Sequence, residues 1–373
     1  MKKKILFLTG TRADFGKLKS LIRKTYESDC FEIFIFVTGM HMISKYGMTA
    51  TEVEKCKFGQ IYKFINQNMY DSMDIILSKT IHGLSDYVKE ISPDMIVVHG
   101  DRVEAMAGAI VGALNNILVS HIEGGEVSGT IDEVIRHSIS KMSHIHFVSN
   151  SRAKERLIQL GELEDSIFEI GSPDLDIMSS NELPTKEEAQ CRYNIPYERY
   201  AIFMYHPVTT ELELLENNIK EVVDAIIQSE RKYIVIYPNN DNGTEIILKE
   251  FDRISNHPNF RVFPSIRFEY FITLLKNSDF IIGNSSAGVR EMPFYGKPSI
   301  NIGSRQNGRS KARSIINVPD NAFDITNAIE SISSVNITPT EEFGDGNSDK
   351  LFLKCLLSDR IWGTSKQKVF VDI

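Results

Sequence analysis

The chain has 373 residues, 42% hydrophobic and 25% charged, with a formal net charge of -8. That length exceeds one ordinary core and suits two domains of roughly 150 to 200 residues in a globular protein. Net negative charge argues against nonspecific attraction to nucleic acid or an anionic membrane, and no run approaches the ~20 apolar residues of a membrane span, so a cytoplasmic protein is expected.

The opening MKKKILFLTGTRADFG sets Lys2 to Lys4 before Ile5 to Leu8, but the apolar run is too short for a signal peptide and Arg12 and Asp14 interrupt it, which predicts a first strand. A theme then repeats: an apolar or β-branched run, a Gly-containing loop, an amphipathic helix. Strands are predicted at Ile5 to Thr9, Glu32 to Thr38, Met95 to His99, Ile117 to His121 and His144 to Ser149, with IDEVIRHSISKMS at helical spacing between the last two. Such alternation implies a parallel sheet covered on both faces, with ligands at the carboxyl ends of its strands. The stretch IGSPDLDIMSSNELPTKEEAQ breaks the rhythm with Gly, Pro, Ser and charge, predicting a linker around residues 171–185. Strands resume at Tyr200 to Tyr205, Lys232 to Tyr237, Phe280 to Ile282 and Pro298 to Ile302. The fold class is therefore α/β, two Rossmann-like domains expected to face each other across a cleft suited to a nucleotide. The final KLFLKCLLSDRIWGTSKQKVF is partly helical. Cys30, Cys56, Cys191 and Cys355 are scattered, which suits reduced thiols better than a disulfide framework or a metal site.

Four loops carry candidate chemistry. In IIGNSSAGVREM a strand delivers Ser285 and Ser286 to a predicted helix start, where backbone N–H groups and the dipole favour a phosphate; a plain helix cap is the alternative. Glu291, further along, could accept from ribose hydroxyls. GTRADFGKL is not a Walker A motif, since five residues separate its glycines and Leu18 stands where Ser or Thr should follow the lysine, but Arg12 and Lys17 at a strand-to-helix turn suit a diphosphate. VVHGDRVEA places Asp101 and Arg102 after a strand, where Asp101 could be a cap or a functional acid. HIEGGEVSGTID sets Glu123, Glu126 and Asp132 among Gly124, Gly125 and Gly129, which allow close backbone approach to a ligand. Asp101, Glu123 and Asp132 all follow first-domain strands and His206 follows the first strand of the second, a concentration of titratable groups that points to proton transfer. His137, His144 and His146 read as structural, Asp174, Asp176 and Asp241 as turn residues, and no zinc-site spacing is present.

With these loops in place, the sequence closely resembles the hydrolysing UDP-N-acetylglucosamine 2-epimerases of sialic-acid biosynthesis, and is similar to the epimerase half of the vertebrate bifunctional epimerase/kinase. GTRADFGK, VTGMHM, HGDRVEA, HIEGGEVSGTID, IRHSISK, HPVTTE, PNNDNGTE, GNSSAGVRE and GSRQNGR carry the resemblance, in that order over about residues 5 to 310. It implies a glycosyltransferase-B-type fold, with residues 1–176 and a returning C-terminal helix at 355–373 forming the catalytic domain and 177–354 the UDP-binding domain. It implies that Asp101, Glu123 and Asp132 are the catalytic carboxylates, that His206 assists near the leaving diphosphate, and that Arg12, Gly16, Arg102, His206, Asn239, Ile266, Ser285, Ser286, Glu291 and Arg305 contact UDP, with Lys17 added from its place in the first loop. The implied reaction eliminates UDP to give 2-acetamidoglucal and then adds water, with no redox step, cofactor or metal. Glu126 and Glu133 are possible deputies. A homodimer or homotetramer is expected. Alternatives are a B-type glycosyltransferase, a nucleotide-sugar sensor, and an epimerase acting on a UDP-2,4-diacetamido-2,4,6-trideoxy sugar.

Overall fold

The computed structural model describes residues 2–68, 71–128, 130–239, 241–335 and 337–372, so Gly129 of the glycine loop lies outside the described residues. The chain divides into two units: Met1–Glu126, Asp132–Ser180 and Phe343–Ile373 form the first, Val127–Ile131 and Asn181–Glu342 the second. Apart from the short segment Val127–Ile131, the divisions fall at 180/181 and 342/343, against expected boundaries of 176/177 and 354/355.

Among the described residues of the first unit, the strands are β1 Lys3–Thr9, β2 Phe31–Val37, β3 Gln60–Lys63, β4 Met95–His99, β5 Leu118–Ile122, β6 Ile145–Val148 and β7 Ile167–Glu169. They pair in parallel in the order β3-β2-β1-β4-β5-β6-β7. Helices Arg12–Glu27, Met73–Ile91, Val103–Leu114, Ile131–Met142 and Ser151–Gln159 connect them. Every residue of β4 and β5 is buried, as apolar runs between two helical layers require. The strand order reverses between β1 and β4, the position where an open parallel sheet receives its ligand.

The chain end packs on this core: Phe352 is fully buried, its ring 4.8 Å edge-on from Phe147 and 6.4 Å from Phe7. Burying such a ring stabilises by ~1.5–3 kcal/mol. The single helix expected over 355–373 is instead two, Ser348–Leu356 and Asp359–Trp362, because Ser358 caps a new turn and Gly363 follows its end. Asp174 and Asp176 are not turn residues but lie on helix Pro173–Met178, within the expected linker, where Pro173 starts the helix. Asp176 accepts from Ser20 Oγ at 2.9 Å, from Ser348 N and Oγ at 2.8 and 2.7 Å, and from Asp349 N at 2.9 Å, so it caps helix Ser348–Leu356 from a distant part of the chain.

The second unit repeats the plan among its described residues with β8 Ala201–Met204, β9 Tyr233–Ile236, β10 Phe260–Phe263, β11 Ile281–Gly283, β12 Ser299–Ile302 and β13 Ile315–Val318, parallel in the order β10-β9-β8-β11-β12-β13. Its core gathers Phe203, Ile219, Val222, Tyr233, Phe251 and Phe280, and its order reverses between β8 and β11. Among the described residues of the whole chain, no helix is long and apolar enough to cross a membrane.

Candidate active site

In the first unit the acids converge on one cation. Arg136, on helix Ile131–Met142 and only 1% exposed, donates to Asp101 in the turn after β4. Burial pulls the Arg136 pKa down, but Asp101, then Glu126, Glu123 and Asp132, push it up and prevail. Asp132 and Arg136 are four residues apart and so share a helix face. Asp101, Glu123, Asp132 and Glu126 are thus brought within electrostatic reach of one buried guanidinium.

Glu123 follows β5 directly and holds a left-handed backbone at φ +68°, a conformation that costs a non-glycine residue about 1–2 kcal/mol. Its N–H donates to Phe147 O at 3.1 Å, which fixes the turn. The carboxylate is 3.0 Å from Lys17 Nζ and 3.3 Å from His99 Nε2, and Lys17 is also 3.6 Å from the wholly buried Asp174. Lys17, expected beside a diphosphate, therefore stands within the carboxylate group. Glu126 accepts from Ser149 Oγ at 3.0 Å. Sequence reasoning missed Arg136, His99 and Asp174; the four-residue spacing of Asp132 and Arg136 was the available signal for the first.

The first loop is tied by bonds of its own. Thr11 and Asp14 form a capping box, and the Asp14 carboxylate takes the N–H of Gly10 at 2.9 Å and of Thr11 at 3.1 Å. The backbone N–H groups of Gly10 and Thr11 are thus occupied by the chain's own carboxylate. Arg12 is paired with Glu52 through two bonds, Nε to Oε2 at 3.0 Å and Nη2 to Oε1 at 2.6 Å, and Gly16 is buried in the helix that follows. Arg102 Nε lies 3.3 Å from Oε2 of the buried Glu104.

In the second unit His206, beyond β8, is held by its neighbours at the point of strand reversal. Asn284, beyond β11, accepts from His206 N at 2.6 Å and donates to His206 O at 2.9 Å, and His206 Nδ1 accepts from Asn239 N at 3.1 Å. In the neutral imidazole the proton is therefore on Nε2. The Asn284 carbonyl accepts from Arg305 at 3.2 Å and Gln306 at 3.0 Å, bringing the GSRQNGR loop to the same place. Gly283 makes this crossing possible: at φ +129° a Cβ there would sit 1.9 Å from Met204 O. Gln306 was not singled out from sequence, and Asn284 was read only as one of the residues that the strand delivers to a helix start.

The helix expected to begin at the paired serines is absent. Ser285 caps a 3-10 turn at Ser286–Gly288, and a four-residue helix, Glu291–Phe294, follows. Pro293, which has no N–H, accompanies this short element. A long dipole does not act on Ser285 and Ser286, and any anion binding there rests on local donors. Glu291 is 3% and Ile266 6% exposed, the latter just before helix Phe268–Asn277.

A family model described as UDP-N-acetylglucosamine 2-epimerase matches residues 23–357. The chain belongs to that family. A Neisseria meningitidis serogroup B protein named UDP-N-acetylglucosamine 2-epimerase is 47% identical to this family member, with 100% of this chain and 99% of that protein covered. A Legionella pneumophila protein named UDP-N,N'-diacetylbacillosamine 2-epimerase (hydrolyzing) is 34% identical, with 94% of each covered. Among solved structures, Methanocaldococcus jannaschii UDP-GlcNAc 2-epimerase in complex with UDP-GlcNAc and UDP superposes with a TM-score of 0.79 at 22% identity, covering 95% of this chain and 99% of that one. The α/β fold of two parallel sheets matches that epimerase fold, which is of glycosyltransferase-B type. Of the candidate site residues, Arg12, Gly16 and Lys17 precede the segment matched by the family model and the others fall within it.

Proposed function

We propose that this chain is a hydrolysing UDP-N-acetylglucosamine 2-epimerase that converts UDP-N-acetylglucosamine and water to N-acetylmannosamine and UDP. The observation that carries this is the gathering of Asp101, Glu123 and Asp132, with Glu126, about buried Arg136. Cleavage of the anomeric C–O bond sends the electron pair to UDP and gives C1 oxocarbenium character. That acidifies the C2 proton, which a carboxylate removes, leaving 2-acetamidoglucal. Water then adds across the double bond: its oxygen keeps one hydrogen and bonds to C1 as the hydroxyl, its other proton passes to a carboxylate of the site, and a site acid delivers one proton to C2 on the face opposite to the one deprotonated. One group must act as base and one as acid at adjacent carbons, a use for several carboxylates that sugar transfer to an acceptor lacks.

Lys17 is assigned here to holding Glu123, and Arg136 to holding Asp101. His206, with its Nε2 proton, and Ser285, Ser286 and Arg305 would bind the diphosphate and stabilise the charge growing on it; removing one such donor typically costs ~10²-fold or more in rate. Arg12, Gly16, Arg102, Asn239, Ile266 and Glu291 are proposed to line the remainder of the UDP site. No cofactor or metal enters the scheme. We place the protein in the cytoplasm, as a homodimer or homotetramer, at the first step of sialic-acid biosynthesis.

Incubation with UDP-N-acetylglucosamine alone in D₂O tests the reaction. Proton NMR should show UDP together with N-acetylmannosamine bearing deuterium at C2. Absence of UDP release without an added acceptor would favour a transferase, and UDP-N-acetylmannosamine as product a non-hydrolysing epimerase. The Legionella relative supports a second substrate, a UDP-2,4-diacetamido-2,4,6-trideoxyhexose; the same measurement with that sugar decides which has the higher kcat/KM.

A further inference from the structure

We propose that His121 is a positioning residue for the carboxylate site, joining through its two ring nitrogens the turn that carries Asp101 and the helix that carries Asp132 and Arg136. The proposal rests on the hydrolysing-epimerase reading and extends it to a wholly buried residue.

His121 lies on β5, two residues before Glu123, and is wholly buried. Its Nε2 is 2.8 Å from Gly100 O and its Nδ1 3.0 Å from Ser140 Oγ. A carbonyl can only accept, so Nε2 carries the proton and Nδ1 accepts from the Ser140 hydroxyl. The ring stays neutral, burial being the first cause that lowers its pKa to about 3. One tautomer therefore satisfies both partners, and either bond fixes the polarity of the other.

Each partner belongs to a segment bearing one of the acids. Gly100 immediately precedes Asp101, and its N–H donates to Ile122 O at 3.0 Å, so the Asp101 turn is tied to β5 twice. Ser140 stands four residues beyond Arg136 and eight beyond Asp132, continuing one stripe of helix Ile131–Met142. The Glu123 loop lies directly against this contact: a Cβ on Gly124 would fall 3.0 Å from Ser140 Oγ and 3.1 Å from His121 Nδ1. Three acid-bearing segments thus meet at one imidazole. Elimination and hydration act at adjacent sugar carbons, and a displacement of about 1 Å in such a constellation can cost ~10²-fold in rate.

The test compares His121→Gln, His121→Asn and Ser140→Ala with the wild type. The Gln amide reaches as far as Nε2 and can still donate to Gly100 O; the Asn oxygen stands near Nδ1 and can still accept from Ser140. Ser140→Ala deletes one oxygen and remains informative where a histidine variant fails to fold. Expected are kcat losses of roughly 10- to 100-fold for Ser140→Ala and His121→Asn, a smaller loss for His121→Gln, an unchanged Kd for UDP, and a raised ratio of free 2-acetamidoglucal to N-acetylmannosamine, because the two half-reactions no longer share aligned acids. Folded variants with wild-type kcat and no released glucal overturn the proposal, as does a loss that follows only the folded fraction measured by circular dichroism. A wild type that releases no UDP overturns the hydrolysing reading and this inference with it; an active wild type with unaffected variants overturns the inference alone.

Discussion

Arg136 and Asp101, 35 residues apart in sequence, form an ion pair in which the guanidinium is almost wholly buried. Removing the cation would take from Asp101 its ion-pair partner and from Glu126, Glu123 and Asp132 a nearby positive charge. Arg136→Met is therefore expected to lower kcat by ~10²-fold or more and to destabilise the fold by about 3–5 kcal/mol, the usual consequence of breaking a buried pair from one side. Arg136→Lys should recover part of the stability and less of the activity, since Lys supplies charge without the planar fork. Urea unfolding and UDP-release kinetics check both; a Met variant with wild-type stability and turnover would remove Arg136 from the site.

Asp132 sits in the first turn of its helix on the same face as Arg136. Asp132→Asn keeps the shape and removes the proton-accepting charge. Turnover should fall by ~10²–10⁴-fold, the range for losing a general acid or base, while UDP affinity by calorimetry stays near the wild-type value. An Asn variant with full turnover excludes Asp132 from proton transfer.

The strands read from sequence are the interior ones. Those not read, β3, β7, β10 and β13, are the edges of the two sheets. An edge strand has one neighbour and an open flank, so its residues need not be apolar: QIYK in β3 is exposed at three of its four positions, and Asn317 of β13 faces solvent. MIVVH in β4, buried throughout, carries a signal that no edge needs. The site divides in a similar way. Asp101 and Glu123 are legible because each leaves an apolar strand beside a glycine. Asn284 is not, because its bonds run to His206, 78 residues earlier. The internal bonding of GTRADFGKL is not legible either: Asp14, taken only as an interruption of the apolar run, accepts from the backbone N–H groups of Gly10 and Thr11.

Buried neutral histidines set the acid side of the stability profile. Burial is the largest cause lowering His41 and His121 to about 3, and it also lowers His144 and His146. The unfolded chain protonates these rings near pH 6.5, whereas the folded chain takes up these protons only at lower pH. Below that pH the unfolded state binds more protons, so stability falls as pH drops, by up to ~1.4 kcal/mol per pH unit for each ring. Urea midpoints between pH 7.5 and 4.5 should decline from about pH 6.5 downward, before carboxylates in their ordinary range titrate. His121→Gln should flatten that slope by about one proton, and an unchanged slope would show that His121 protonates in the folded protein.

Asn284 and Ser286 are neighbours with separable roles. The Asn284 side chain is bonded to both the N–H and the carbonyl of His206, and its own carbonyl receives Arg305 and Gln306. Asn284→Ala removes two side-chain bonds in a site where Asn284 is 1% exposed. A loss of about 2–3 kcal/mol in stability follows from the buried groups left behind, and UDP affinity should weaken because His206 loses its side-chain support, while the backbone carbonyl that receives Arg305 and Gln306 remains. Ser286 opens a 3-10 turn and is only partly buried. Ser286→Ala should therefore leave the urea midpoint near its wild-type value while raising the Kd for UDP by roughly tenfold, the worth of one hydrogen bond to a charged group. Unchanged UDP affinity in Ser286→Ala would move the diphosphate away from this turn, and unchanged stability in Asn284→Ala would mean that His206 does not depend on its asparagine.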